Sequence, residues 1–180
     1  IAGCGTGQQI MDASRYQNSL ITAIDLSSAS ISYAKRKANE YGLENVEFIQ
    51  MDILDLYHLK RKFDLIECSG VLHHMDSPSE GLKALISSTK ERCYLKLGLY
   101  SELARKDIVK AREIITSLNI KNSQKGIINF RKKVFKNKLP ELSNLIKWPD
   151  FYTTSMCRDL CFHSKEHRFN ILQIKDLINQ

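Results

Sequence analysis

Apolar and polar positions follow two different periods along the first hundred residues. Leu20-Ile21-Thr22-Ala23-Ile24-Asp25 is a short apolar run closing on a carboxylate, and Val46-Glu47-Phe48-Ile49-Gln50-Met51 alternates with the period of two that marks a strand. Phe63-Asp64-Leu65-Ile66-Glu67-Cys68 and Cys93-Tyr94-Leu95-Lys96-Leu97-Gly98-Leu99-Tyr100 read as strands as well. Between these runs the spacing turns helical, over Gln8 to Tyr16, Ser28 to Tyr41 and Ser79 to Ser88. In the second of these, Ile31, Ala34, Ala38 and Tyr41 recur on one face, Lys35-Arg36-Lys37 take the solvent side, and Gly42 stops the helix. Strands alternating with helices at this rhythm predict an α/β fold, a Rossmann-like, mostly parallel sheet with helices on both faces. They also predict a ligand at the carboxyl ends of the strands. The rhythm stops at Tyr100. Beyond it, Ile108, Ala111, Ile114, Ile115 and Leu118, then Ile171, Ile174, Leu177 and Ile178, keep helical spacing, and no further strand is expected. The organisation expected is therefore a core over residues 1–100 and a helical elaboration over 101–180.

Charge sharpens that division. The chain of 180 residues has a formal net charge of +7. Residues 101–180 hold 16 Lys/Arg against 8 Asp/Glu, whereas residues 1–100 hold 11 against 12, so the basic character belongs to the second part alone. Five cysteines, Cys4, Cys68, Cys93, Cys157 and Cys161, form no paired spacing, and an odd number fits reduced thiols better than a disulfide framework. No stretch approaches the roughly 18 consecutive apolar residues of a membrane span. The expected setting is cytoplasmic, with no membrane partner.

The chemistry begins at the first residues, where Ile1-Ala2 runs into Gly3-Cys4-Gly5-Thr6-Gly7. Glycines at alternate positions remove every second Cβ and let backbone approach a ligand. The dinucleotide fingerprint would want a glycine where Gln8 stands, and a P-loop would end in Gly-Lys-Ser/Thr. The remaining pattern, G-x-G-x-G, resembles the first motif of class I S-adenosylmethionine (SAM) dependent methyltransferases. The chain departs from that family in carrying Ile1 where most members have an acid two positions before the first glycine. The resemblance also implies a first strand cut at the amino end of this fragment and two further strands beyond its carboxyl end.

On this resemblance the cofactor is SAM, held by Gly3, Cys4, Gly5, Thr6 and Gly7. Asp25 and Leu26 would serve the ribose, Asp52 and Ile53 the adenine amino group and ring, and Cys68 and Ser69 the turn that borders cofactor and methyl acceptor. Asp25 is also open to a role as a helix cap, since Asp25-Leu26-Ser27-Ser28 precedes a helix. His73 and His74 are the candidate bases if the acceptor carries a proton, because imidazole titrates near neutrality. The elaboration after Tyr100 is expected to cap the cofactor mouth, with Tyr100, His163, Glu166 and His167 facing either an acceptor or the helices beneath. Leu99 to Arg105 and Arg158 to Phe169 are similar to a bacterial methyltransferase subgroup often joined to tetratricopeptide repeats. No Asn/Asp-Pro-Pro-Tyr/Phe motif is present and no cysteine follows a proline, which leaves a small-molecule acceptor ahead of a protein one.

Three rivals stand beside this reading. Lys121, Lys125, Arg131, Lys132, Lys133, Lys136 and Lys138 suggest a nucleic-acid-binding or RNA-modifying protein using residues 121–138, while Phe130 and Phe135 at helical spacing suggest a core-facing stripe with lysines on its solvated side. His163-Ser164-Lys165-Glu166-His167 spells the inverted zinc motif H-x-x-E-H, which needs one helical face and a further ligand. Asp176, Asn179 and Gln180 are poor candidates for that ligand. Cys157, Cys161, His163 and His167 lack zinc-finger spacing, since Phe162 alone separates Cys161 from His163. No metal is expected.

Overall fold

The computed structural model describes residues 1–163 and 165–179. Ser164 and Gln180, named above with the zinc motif, lie outside the described residues. Two compact units are present: Ile1–Leu99 together with the last residues from Lys175, and Tyr100–Ile174.

In the first unit, strand β1 (Ile21–Asp25) pairs in parallel with β2 (Val46–Gln50), Asp25 lying opposite Gln50. Strand β3 (Phe63–Ser69) pairs in parallel with β4 (Thr89–Gly98), Ser69 opposite Gly98. The parallel pairing expected is present, but the described residues form two separate two-stranded sheets rather than one. Ile1 and Ala2 join them at one end. Ala2 bridges Ile24 in parallel, and its N–H donates to the Glu67 carbonyl at 2.8 Å. The Ile1 carbonyl accepts from the Ile24 N–H at 2.9 Å. Elsewhere β1 and β3 border a gap of about 890 Å³ lined by Thr22, Leu56, Leu65 and Ile66 among others.

The helices start where their caps dictate. Helix α1 (Gln8–Ala13) follows Gly7, whose φ of 99° lies in the left-handed region. Helix α2 (Ser28–Glu40) is capped by Ser27, whose Oγ accepts from the Ser30 N–H. Ala34 and Ala38 are buried as the pattern required, whereas Tyr41 is 68% exposed and no part of the core. Helix α3 (Pro78–Ser87) is capped by Ser77 and begins on proline, whose fixed φ suits the first turn. Strand β4 starts four residues before the expected Cys93. Its register slips between the Phe63↔Thr89 and Leu65↔Tyr94 pairs, so Lys90-Glu91-Arg92 form an irregularity inside the strand.

The second unit is helical: α4 (Lys106–Ser117), α5 (Gln124–Phe135), short 3₁₀ stretches at Pro140–Lys147 and Pro149–Tyr152, and α6 (Thr154–Phe162). Helix α7 (Ile171–Ile178) follows. Ile108, Ala111, Ile127, Phe130, Leu145, Phe151 and Cys157 form its core, with Phe130 edge-on to Phe151 at 6.1 Å and to Phe162 at 5.7 Å. Phe130 thus faces inward as expected. Phe135 does not; it is 46% exposed and rests against the rings of Phe151 and Tyr152. One parallel bridge, Ser101 with Phe169, occurs where no strand was expected.

Candidate functional site

The glycine turn hangs from the point where both sheets meet. Gly3 and Cys4 each donate a backbone N–H to the Ile24 carbonyl at 2.9 Å, which pins the turn to the end of β1. Gly3 has φ +75°, and a Cβ added there would lie 2.2 Å from Cγ2 of Val71, so this position tolerates no side chain. Gly5, at φ +50°, differs. An added Cβ would meet nothing within 4 Å, so the face of the turn at Gly5 is open.

Asp25 closes the site from β1. Its Oδ2 accepts from the Gly5 N–H at 2.8 Å and its Oδ1 from the Ser27 N–H at 2.9 Å. The two suggested roles separate here, because Ser27 caps α2 while Asp25 is aimed at the glycine turn. Each carboxylate oxygen keeps lone-pair capacity for a further donor. Leu26, beside it, is 66% exposed and offers an apolar surface.

Asp52 lies just past β2 and accepts from the Leu54 N–H at 2.9 Å, capping the 3₁₀ turn Ile53–Leu59, in which Ile53 is buried. At the end of β3, Cys68 is fully buried and burial pushes its thiol up to about 11; Cys4 is raised to about 11 by burial, then by the charge of Asp25. Both thiols are therefore protonated near neutral pH. Ser69 packs on Gly98, where a Cβ would fall 2.7 Å from that of Ser69. His73 is 1% exposed and stands edge-on to the partly exposed His74, with ring centroids 4.4 Å apart.

One residue at the turn escaped the sequence. Gln9, in the first turn of α1, donates Nε2 to the Ser69 carbonyl at 2.9 Å and so ties the glycine turn to the end of β3. That bond orients the amide, and among the described residues its buried Oε1 has no hydrogen-bond partner. A buried acceptor left unmade costs about 1–3 kcal/mol. The sequence signal was only a polar residue two places after Gly7, which any helix start could carry.

In the second unit, Glu166 is 1% exposed at its side chain and lies among three arginines. It accepts from Arg105 Nε at 3.3 Å and pairs also with Arg105 Nη2, with Arg112 Nη2 at 2.9 Å and with Arg168 at 3.6 Å. Arg105, itself 4% exposed, also donates to the Leu160 carbonyl at 3.2 Å and lies 3.9 Å from the Tyr100 ring centre. Burial would raise the Glu166 carboxyl, but the hydrogen bond and charge of Arg105, then Arg112 and Arg168, hold it below its ordinary value. The structure thus joins Tyr100 and Glu166 through Arg105. His163 caps the end of α6, and its Nδ1 lies 2.7 Å from the Lys165 carbonyl oxygen. Because α6 ends at Phe162, the H-x-x-E-H letters do not share a helical face as the zinc reading required.

An uncharacterised protein of Synechococcus sp. is 35% identical over 119 residues, covering 65% of this chain and 28% of that protein. The malonyl-[acyl-carrier protein] O-methyltransferase of Acetivibrio thermocellus is 30% identical over 104 residues, covering 56% of this chain and 35% of that protein. The structure of PKMT2 from Rickettsia typhi in complex with AdoHcy matches with a TM-score of 0.74 over 99% of this chain and 37% of that one; at 20% identity this is a likeness of fold. The chain therefore spans only 28% and 35% of the two relatives' lengths. The family model described as a methyltransferase domain matches residues 2–139. That match runs from the glycine turn through α5, and on its extent the chain belongs to the methyltransferase domain family, within the class I SAM-dependent methyltransferases.

Proposed function

We propose that this chain carries the SAM-binding part of an enzyme that methylates a small-molecule acceptor. The carrying observation is the Gly5 N–H to Asp25 carboxylate bond, which sets an acid with spare lone pairs against an open glycine turn. That arrangement fits the ribose diol of an adenosyl group, whose two hydroxyls need acceptors. When bound, SAM supplies a sulfonium-activated methyl group. The protein's task is then to orient donor and acceptor for an in-line displacement. Gly3, Cys4, Thr6 and Gly7 shape the turn, Leu26 and Ile53 offer apolar contact, and Asp52 offers an acceptor at the adjacent strand end. Cys68 and Ser69 supply wall and backbone beside it. His74, the more exposed of the histidine pair, is the better placed to take a proton, since His73 is sealed in the fold.

The small-molecule acceptor is supported by the lack of a base- or glutamine-methylating motif. A protein-borne acceptor is the second reading, favoured by the Acetivibrio relative, which is named for a group on an acyl carrier protein. The five free thiols support a reducing compartment such as the cytoplasm. The described residues hold no helix long and apolar enough to cross a membrane.

Titration calorimetry with SAM tests the reading. Asp25→Ala should weaken binding by about 1.5–3 kcal/mol, the range for a hydrogen bond to a charged group, or roughly ten- to hundredfold. No SAM binding by the wild type sinks the cofactor assignment; equal binding by the variant sinks the ribose role alone.

A further inference from the structure

Six lysines of the second unit, Lys121, Lys125, Lys132, Lys133, Lys136 and Lys138, line one concavity of about 540 Å³. They reach it from three places: the loop before α5, the exposed side of α5 itself, and the turn after it. All six are exposed, and among the described residues none enters an ion pair. In the first unit, by contrast, several lysines, Lys37, Lys83, Lys90 and Lys96, each have a carboxylate partner. The contrast originates in the sequence, because no Asp or Glu occurs between Glu113 and Glu141. The one arginine of the stretch is not part of the concavity: Arg131 Nε donates to the Phe151 carbonyl at 2.8 Å and its Nη2 to the Tyr152 carbonyl.

A solvated helix face explains lysines on α5 but not their gathering around a hollow from flanking turns with no acid interspersed. Like charges three and four residues apart, as at Lys133–Lys136 and Lys132–Lys136, repel each other. An anion resolves that opposition. Ammonium groups are compact point charges without the fork that selects planar carboxylates, and they suit phosphate. The volume falls in the range of small-ligand sites. The lining offers no ring for a base to stack on, since its one aromatic residue, Phe130, is fully buried in the core. Asn119 and Asn129 add neutral hydrogen-bonding groups at the same hollow.

We propose that this concavity binds a multiply phosphorylated ligand through a compact cluster of phosphates, such as a di- or triphosphate group. The proposal is independent of the methyl-transfer reading.

The test is calorimetric titration of the chain with tripolyphosphate and, separately, with a twelve-residue oligouridylate and a short polyglutamate. The expected result is one tripolyphosphate site that weakens at least tenfold between 50 and 200 mM salt, as phosphate binding by several lysines requires. The double variant Lys132→Gln/Lys136→Gln should weaken it a further tenfold or more at fixed salt. Lys83→Gln, a paired lysine of the other unit, should change it less than twofold. All the substituted side chains are exposed, and circular dichroism melting should be unchanged. Tripolyphosphate binding that ignores the double variant overturns the proposal. So does polyglutamate binding as tightly, which reduces the hollow to general charge attraction. Oligouridylate binding tenfold tighter than tripolyphosphate also overturns it, in favour of a nucleic-acid backbone as the ligand.

Discussion

Glu166 is the position where substitution should cost the second unit most. The carboxylate neutralises Arg105, whose side chain is 4% exposed, while Arg112 and Arg168 are 19% and 33% exposed and can turn part of their charge to water. Glu166→Ala therefore leaves one deeply buried guanidinium whose remaining partners, among the described residues, are the Leu160 carbonyl and the Tyr100 ring. Removing one partner of a buried pair costs about 3–5 kcal/mol; with a single fully buried arginine the lower end, about 3 kcal/mol, is expected. For a unit of this size that is a fall in melting temperature of about 12–24 °C. Trp148, the single tryptophan, packs against the core of the same unit, so its fluorescence in a urea or thermal melt reads the loss directly. Acid carries a second signature. Because the folded carboxyl sits below its ordinary value, its contribution to stability is complete above that ordinary value, near pH 4–5, and is lost as pH falls through the lower folded one. Glu166→Gln should flatten this part of the acid profile. A loss under about 1 kcal/mol, the level of a surface pair, would refute the reasoning. An acid profile of the Gln variant parallel to wild type would refute it too.

Two further outcomes follow from the glycine turn. Gly3→Ala places a methyl group against Val71 at a positive φ and should abolish cooperative unfolding of the first unit, whereas Gly5→Ala, with open space around it, should cost only about 1 kcal/mol of backbone strain; comparable melts for the two variants would contradict this. Gln9→Met removes the buried acceptor and the tie to Ser69. If Oε1 receives the ligand's ammonium, calorimetry should find that wild type loses about tenfold in affinity for S-adenosylhomocysteine when its amino group is absent. The variant should lose little more, and equal losses in both proteins would make Gln9 structural.

What the sequence determined by itself is whatever depends on near neighbours. Period-two and helical spacings placed β1, β2, β3, α2 and α3 to within one or two residues, since each period reflects which side of one element faces the core. The glycine turn, with the acid closing the next strand, was legible for the same reason, being a local requirement for close backbone approach. What no local pattern carried was pairing across the chain. The aim of Asp25 at Gly5 rather than only at the helix behind it depends on a bond spanning 20 residues, and the Glu166–Arg105 pair spans 61. Phe135 has the spacing of a core residue, yet it lies at the margin, because the 3₁₀ stretch carrying Phe151 and Tyr152 covers only part of it. Strand β4 starts earlier than its apolar pattern indicates because charged Lys90-Glu91-Arg92 is tolerated where the register of β3 and β4 slips. Glu67 shows the limit most plainly. Inside an apolar run it looks like a misplaced acid, and it becomes a buried anchor only once folding brings the Tyr16 hydroxyl to 2.5 Å and the Lys96 ammonium to 3.2 Å. A buried charge is stable only with its partners, and where those partners stand is decided by the tertiary structure alone.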